Sequence, residues 1–345
     1  MFMPHNKLGS RVAFLFTSMP IFLGKRDGHI EKMFKWNKKG HIFAPNNNYP
    51  WMFSHAQCPF PLEFDGFLRV YFATREDYKN GMCRAYGGFV DLDKNTFKVI
   101  KISSRPLMDL GGIGEFDEFG SMPISVVRHD GEFYLYYVGW SRGFSVPYDW
   151  EIGLAKSKDG ERFEKVGKGP LLGPTLDEPY LNSTPVVYKL AEDDWHMFYH
   201  TGVQWIKEGD KLESQYMIKH ATSRNGLDWN RNSTQVIPFK VENECQTTPA
   251  IMKLAGRYHM FFCYRYGLDF RATKDRAYRI GYAYSDDLVN WTRDDSQAGI
   301  DVSESGWDSE MIEYPHIAEI NGKLVMFYCG NHFGKAGFGY AELDI

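Results

Sequence analysis

Apolar and aromatic residues alternate with polar ones in short runs along this chain, and the runs return at a nearly fixed interval. The clearest are Leu68 to Phe72, Phe133 to Tyr137, Trp195 to Tyr199, Tyr258 to Phe262 and Leu324 to Tyr328. Their central residues, Val70, Leu135, Met197, Met260 and Met326, are separated by 65, 62, 63 and 66 positions. Alternating aromatic and β-branched residues over about five positions are the pattern of a half-buried β-strand. A second strand signal keeps the same beat some 20 residues further on: Gly-Gly-Phe-Val at 87 to 90, Ile-Gly-Leu-Ala at 152 to 155, Ile-Lys-His-Ala at 218 to 221, Ile-Gly-Tyr-Ala at 280 to 283 and Phe-Gly-Tyr-Ala at 338 to 341. Three copies continue into a turn, at Ser157-Lys158-Asp159-Gly160, Ser223-Arg224-Asn225-Gly226 and Ser285-Asp286-Asp287, and then an aromatic residue. Asp-Gly and Asn-Gly between such runs are hairpin turns, because glycine accepts the positive φ a tight turn demands. A proline stands about ten residues before each aromatic run, at Pro59, Pro123, Pro185, Pro249 and Pro315.

A period above 60 residues is too long for a solenoid repeat and suits a propeller blade of about four strands. The expected fold is therefore all-β: a five-bladed β-propeller forming a single domain over residues 1–345. The blades fall near residues 50 to 110, 111 to 175, 176 to 240, 241 to 302 and 303 to 345. An N-terminal segment is expected to complete the last blade, since an unpaired edge invites aggregation. Arg11 to Thr17 is the candidate closing strand.

Composition narrows the function. Aromatic residues make up 16% of the chain and hydrophobic residues 43%, ample for blades packed face to face. The net charge of -4, with no basic run, leaves no footprint for nucleic acid. No stretch approaches 18 apolar residues and the N-terminus lacks a signal-peptide core, so neither a membrane nor export is expected. The five cysteines, odd in number and mostly in or beside strands, read as free thiols in a reducing compartment, giving a cytoplasmic expectation. Cys-x-x-Cys, His-Glu-x-x-His and Gly-x-Ser-x-Gly are all absent, and Gly111 to Gly114 does not open a helix. Neither a metal nor a cofactor is expected, and the oligomeric state is not legible.

In a propeller the innermost strand of each blade borders the central channel, so the residues before the five prolines should converge on one funnel. They are Ser54 to Cys58, Phe116 to Met122, Glu178 to Thr184, Glu242 to Thr248 and Trp307 to Tyr314. Carboxylates occur in four of the five copies, beside amides and aromatic rings. Acids move protons, amides bind hydroxyls and rings cover the apolar faces of sugars, so the set reads as a carbohydrate site. The candidate catalytic residues are Asp117, Glu244 and Glu313. The candidate substrate-binding residues are His55, Gln57, Asn182, Gln246, Arg265, Trp307, Asp308, Glu310 and His316. Any single acid here could instead be a solvated loop residue; Trp229 and Trp291 are better read as core, His196 and His259 as sheet residues, and Arg75 and Arg265 as partners of neighbouring acids.

The repeat, the proline register and the Gly-Tyr-Ala-x-Ser-x-Asp/Gly-x-x-x-Trp motif resemble the five-bladed β-propeller glycoside hydrolases, the group that holds arabinanases, β-xylosidases, fructosidases and mannoside phosphorylases. Phe116 to Pro123 and Gly306 to Met311, followed by Gly330-Asn331 and Gly337 to Gly339, are similar to an uncharacterised glycosidase-like subgroup linked with bacterial surface-sugar genes. The arabinanase pattern implies a base Asp in the first inner strand, a tuning Asp in the second and an acid Glu in the third. This chain departs from it with His55 and Gln57 in the first and Asn182 in the third. Glu313 stands two residues before Pro315, the Glu-x-Pro spacing of the family's general acid. The resemblance implies a glycoside hydrolase acting on a small soluble glycan, with Glu313 as acid, Asp117 or Glu244 as base, and Asp308 and Glu310 as alternates. One alternative is a glycoside phosphorylase using Arg75, Arg265, Arg271 and His316 for phosphate; another is a non-catalytic sugar-binding propeller.

Overall fold

The computed structural model describes residues 34–78, 83–232 and 234–344. It is all-β and built from repeated antiparallel meanders. Strand β1 spans Trp36–Phe43. The first meander is β2 Ser54–Glu63, β3 Phe67–Arg75, β4 Ala85–Asp93 and β5 Val99–Ile102. The second is β6 Gly120–His129, β7 Glu132–Ser141, β8 Asp149–Ser157 and β9 Glu164–Lys165. The third is β10 Asn182–Ala191, β11 Asp194–Glu208, β12 Lys211–Ser223 and β13 Trp229–Asn232. The fourth is β14 Cys245–Leu254, β15 Arg257–Arg265, β16 Arg279–Ser285 and β17 Thr292–Arg293. The last comprises β18 Glu313–Ile320, β19 Lys323–Cys329 and β20 Phe338–Leu343, with β1 hydrogen-bonded to β20 as its outermost strand. The run Arg11 to Thr17 lies outside the described residues. The first two meanders belong to one sheet through a single parallel pairing, Ala85 with Gly120, and the other three are separate four-stranded sheets.

The aromatic runs form the second strand of each meander, and their side chains fill the gaps between consecutive meanders. Tyr71 and Phe89 of the first pack with Leu135 and Phe163 of the second. Tyr136 of the second packs with Trp195 and Met197 of the third, and Phe198 of the third with Met260 and Phe262 of the fourth. Phe261 of the fourth meets Met326 of the fifth and Trp36 of β1. A further cluster joins Phe327 and Val325 of the fifth to Val70 and Phe72 of the first. A fully buried side chain of this size contributes roughly 1.5–3 kcal/mol relative to exposure, so these five layers dominate stability. The turns are keyed as well: the Tyr71 hydroxyl donates to Gly160 O at 2.8 Å and the Tyr136 hydroxyl to Gly226 O at 2.8 Å, each reaching the Ser-x-x-Gly turn of the following meander.

The prolines have a local consequence. Proline has no N–H to give to the ladder, so each inner strand breaks register there, between Gln57 and Phe60, Pro123 and Ser125, Ser183 and Val186, Thr247 and Ala250, and Glu313 and His316. In four of the five the residue before the proline takes the left-handed conformation: Cys58 at φ 53°, Thr184 at 46°, Thr248 at 48° and Tyr314 at 55°. Non-glycine residues held there carry strain of about 1–3 kcal/mol and cluster at functional sites. Among the described residues no helix is long and apolar enough to cross a membrane.

Candidate active site

A cavity of about 340 Å³ opens where the inner strands begin, and every meander contributes to its wall. The bulged residues and their predecessors supply Gln57, Cys58, Met122, Ser183, Thr184, Thr247 and Tyr314. The ends of the second strands supply Arg75, Trp140 and Arg265, which occupy equivalent places three residues past the aromatic run. Trp150, Tyr148, His200, Tyr216, Phe270, Arg271, Tyr278 and Phe333 complete the larger surfaces. The volume lies at the lower end of the range for small-molecule sites. Among the described residues no aspartate or glutamate lines it.

Cations dominate its charge. Arg265 is 4% exposed and makes no ion pair among the described residues. Its guanidinium lies 3.6 Å from the Phe270 ring centroid and 5.4 and 5.5 Å from those of Tyr216 and Tyr278. Nη1 donates to the carbonyls of Tyr266 and Gly267, and Nε has no partner. Burying a charge without a carboxylate partner is expensive, and this guanidinium keeps an unused donor at Nε. Arg271 stands at the rim, paired with Glu213, and Tyr216 and Tyr278 share a hydroxyl–hydroxyl hydrogen bond across the wall. Deeper in, His200 Nδ1 lies 2.9 Å from the Thr184 hydroxyl and 2.8 Å from that of Thr247. Burial, followed by the charge of Arg265, pushes the His200 pKa down to about 3, so the ring is neutral. Tyr148 stacks on Trp150 at 4.5 Å, making a flat aromatic wall.

Glu313 sits beside this cavity rather than on its surface. It is completely buried and neither carboxyl oxygen has a partner. Burial drives its pKa well above the usual carboxylate value, opposed by the charges of Arg265 and Arg75. Glu313 is therefore an acid biased toward its protonated form, next to two cavity arginines.

The expected convergence of acids does not occur. Asp117 accepts the Tyr137 hydroxyl at 2.9 Å and pairs with Lys165 of β9 at 2.5 Å. Glu244 pairs with Arg293 of β17 at 2.6 Å and accepts the backbone N–H groups of Lys240 and Val241. Asp308 accepts the Tyr328 hydroxyl at 3.0 Å and pairs with Lys38 of β1 at 2.7 Å. Glu178 repeats the device with Tyr199 and Arg231 of β13. In four meanders, then, the acid ahead of the inner strand is fastened to a cation of the outermost strand, inside the sheet layer. The reason is reach: these acids stand five to seven residues before their prolines, upstream of the bulge that turns side chains toward the cavity.

The remaining candidates scatter for similar reasons. Gln57 and Arg265 line the cavity. The Gln246 amide donates to Glu244 at 2.8 Å, and Asn182 is buried without a partner outside the cavity wall. His316 is buried on the edge of Phe60. Trp307 stacks on Tyr328 at 5.2 Å, Glu310 lies 3.7 Å from His332, and His55 lies beside the rim, 2.9 Å from the Ser54 hydroxyl. Sequence reasoning missed His200, Tyr216 and Tyr278, and it placed Thr184 and Thr247 in the runs before the prolines without singling them out as candidates. On the far end of the sheets His129, Asp130 and Glu192 come together, but the Lys189 ammonium lies 2.7 Å from Glu192 and 2.9 Å from His129 and already serves them.

The chain is 33% identical over 312 residues to the uncharacterised protein MT1551 of Mycobacterium tuberculosis, a match covering 90% of this chain and 99% of that one. The chain belongs to the family of that protein. It is also 25% identical over 253 residues to a 1,2-beta-oligomannan phosphorylase of Thermoanaerobacter sp., covering 72% of this chain and 77% of the other. No protein-family model matches. In structure it is similar to a protein from work on the GH130 family of mannoside phosphorylases, said there to contain glycoside hydrolases that target beta-1,2 mannosidic linkages in Candida mannan, with a TM-score of 0.66 at 14% identity over 92% of this chain and 96% of that one. A thermostable family-43 glycoside hydrolase gives 0.61 at 15% identity over 86% and 90%. The fold is thus that of the propeller glycosidases and mannoside phosphorylases.

Proposed function

We propose that the protein cleaves a glycosidic bond by phosphorolysis, in the cavity of a five-bladed propeller whose last blade is closed by β1. The carrying observation is that Arg75, Arg265 and Arg271 line a cavity to which no described carboxylate contributes. The five meanders, the packing of the fifth on the first and the pairing of β1 with β20 support the ring. The Thermoanaerobacter phosphorylase supports the reaction class and makes β-1,2-linked manno-oligosaccharides the first donors to try.

In this reading Arg265 and Arg271 hold the phosphate, whose oxygen attacks the anomeric carbon as the bond to the leaving oxygen breaks. Glu313, whose pKa burial raises, is the proposed donor of a proton to that oxygen once its carboxyl turns from beside the cavity into it, and it recovers one from the dihydrogen phosphate that has added, so atoms and charge balance. The aromatic wall of Trp140, Trp150 and Tyr148 faces the apolar side of the sugar. Glu313 would serve equally as the acid of a hydrolase, which keeps hydrolysis as the second reading. The test is product analysis with and without inorganic phosphate. Phosphorolysis yields a glycosyl phosphate and a rate that saturates with phosphate; free reducing sugar formed at a rate indifferent to phosphate would replace it with hydrolysis.

A further inference from the structure

Beside Phe333, whose ring lies 5.6 Å from the Arg271 guanidinium and 6.0 Å from the Phe270 ring on which Arg265 stacks, a second group of basic side chains meets at the rim. Arg75 ends β3 and pairs across the ladder with Ser54, next to His55. The short turn Asn331–Gly334 packs against β2 there: a Cβ at Gly334 would fall 3.1 Å from Ala56 O and from Gln57 Cγ. His332 and Phe333 in this turn are both left-handed, at φ 59° and 58°, which sets Phe333 into the cavity wall and leaves His332 and Lys335 exposed beside it. Among the described residues neither Arg75 nor Lys335 forms an ion pair; the acids near the group are Glu310, 3.7 Å from His332, and the buried Glu313, on which the charge of Arg75 acts. His55 registers the crowding: burial first, then Arg75, Lys335 and His332, push its pKa down to about 3.

Two unpaired cations beside a strained turn, additional to Arg265 and Arg271 stacked on Phe270, are more than one phosphate needs. We infer that Arg75, Lys335, His332 and His55 form a second anion subsite, which binds an acidic group carried by the glycan itself. The inference rests on the reading of the cavity as a glycan site. The shared chemistry is an anionic oxygen group on the sugar, either a carboxylate as in a hexuronic acid or a phosphate ester; charge-assisted hydrogen bonds of this kind favour the charged ligand over its neutral parent.

Calorimetric titration of the full chain tests it. The probes are glucuronate, galacturonate, mannuronate and the corresponding hexose 6-phosphates, each against its neutral hexose, with inorganic phosphate titrated separately. At least one acidic sugar is expected to bind about tenfold tighter than its neutral parent, equivalent to about 1.4 kcal/mol. The double variant Lys335→Met with His332→Gln should erase most of that preference and leave inorganic phosphate binding intact, whereas Arg265→Met should do the reverse. Preference confined to the uronates or to the phosphate esters identifies the group. Absence of any preference, or a preference that survives the double variant, overturns the subsite while phosphate binding lost in Arg265→Met still upholds phosphorolysis. Loss of inorganic phosphate binding in the double variant would assign these residues to the phosphate and likewise overturn it.

Discussion

Lys38 Nζ lies 2.7 Å from Asp308 Oδ2, and the contact fastens the N-terminal strand β1 to the entry of the last inner strand. Asp308 is almost fully enclosed and Lys38 largely so, and Tyr328 donates to the same carboxylate oxygen. Removing one partner of a buried pair leaves the other charge uncompensated. Asp308→Asn or Lys38→Met is expected to lower stability by about 2–4 kcal/mol, with hydrogen exchange of β1 and β20 accelerating first. Unchanged protection in these two strands would mean that the pair does not clasp β1.

The pins of Asp117 and Glu244 give a sharper discrimination. Asp117→Asn and Glu244→Gln should cost roughly 3–5 kcal/mol, the range for a broken buried ion pair. The fraction that remains folded should turn over substrate at close to the parent rate. A loss of kcat by orders of magnitude with stability preserved would return these acids to the chemistry.

Glu313 should couple stability to pH. Its pKa in the fold is raised, mainly by burial. Its stabilising contribution is fully present below the ordinary carboxylate pKa of about 4.3 and is lost as pH rises through the folded value. Glu313→Gln cannot ionise, so its Tm relative to the parent should climb between pH 4 and neutrality. The same variant should lower kcat on the order of 10²–10⁴-fold, the usual contribution of a general acid, and less for activated aryl glycosides. A Tm difference flat with pH would contradict the raised pKa.

Arg265→Met removes a buried charge that no carboxylate balances. Stability should hold or rise slightly, while phosphate affinity falls by about 10–100-fold, corresponding to one or two charge-assisted hydrogen bonds. Isothermal titration with inorganic phosphate, alongside thermal melting, separates the two effects. Destabilisation with unaltered phosphate binding would make Arg265 a structural residue.

The histidines set the acid limit. Burial holds His55, His200 and His316 down to about 3 and His220 and His259 to about 4. A depressed histidine contributes stability above its unfolded pKa of about 6.5, and that contribution is lost as pH falls toward the folded value. Melting temperature should therefore drop between about pH 6.5 and 4, and His200→Gln should blunt that slope.

The strand count, the repeat and the place of the inner strands were written in the chain, because alternation of Tyr134 and Tyr136 with Leu135 dictates a strand wherever it is buried and a proline such as Pro185 dictates where its ladder breaks. Position in the repeat also brought Gln57 and Arg265 to the cavity. What the acids do was not legible, because Asp117, Glu244, Asp308 and Glu313 look alike in sequence and differ in what the fold sets beside them. Lys165, Arg293 and Lys38 arrive from outermost strands 49 residues away from Glu244 in one case and 270 from Asp308 in another, while neither carboxyl oxygen of Glu313 receives a partner. Pairing depends on distances across the sheet, and only tertiary structure sets those, so it alone decided which carboxylates are spent on holding the strands and which is left beside the cavity.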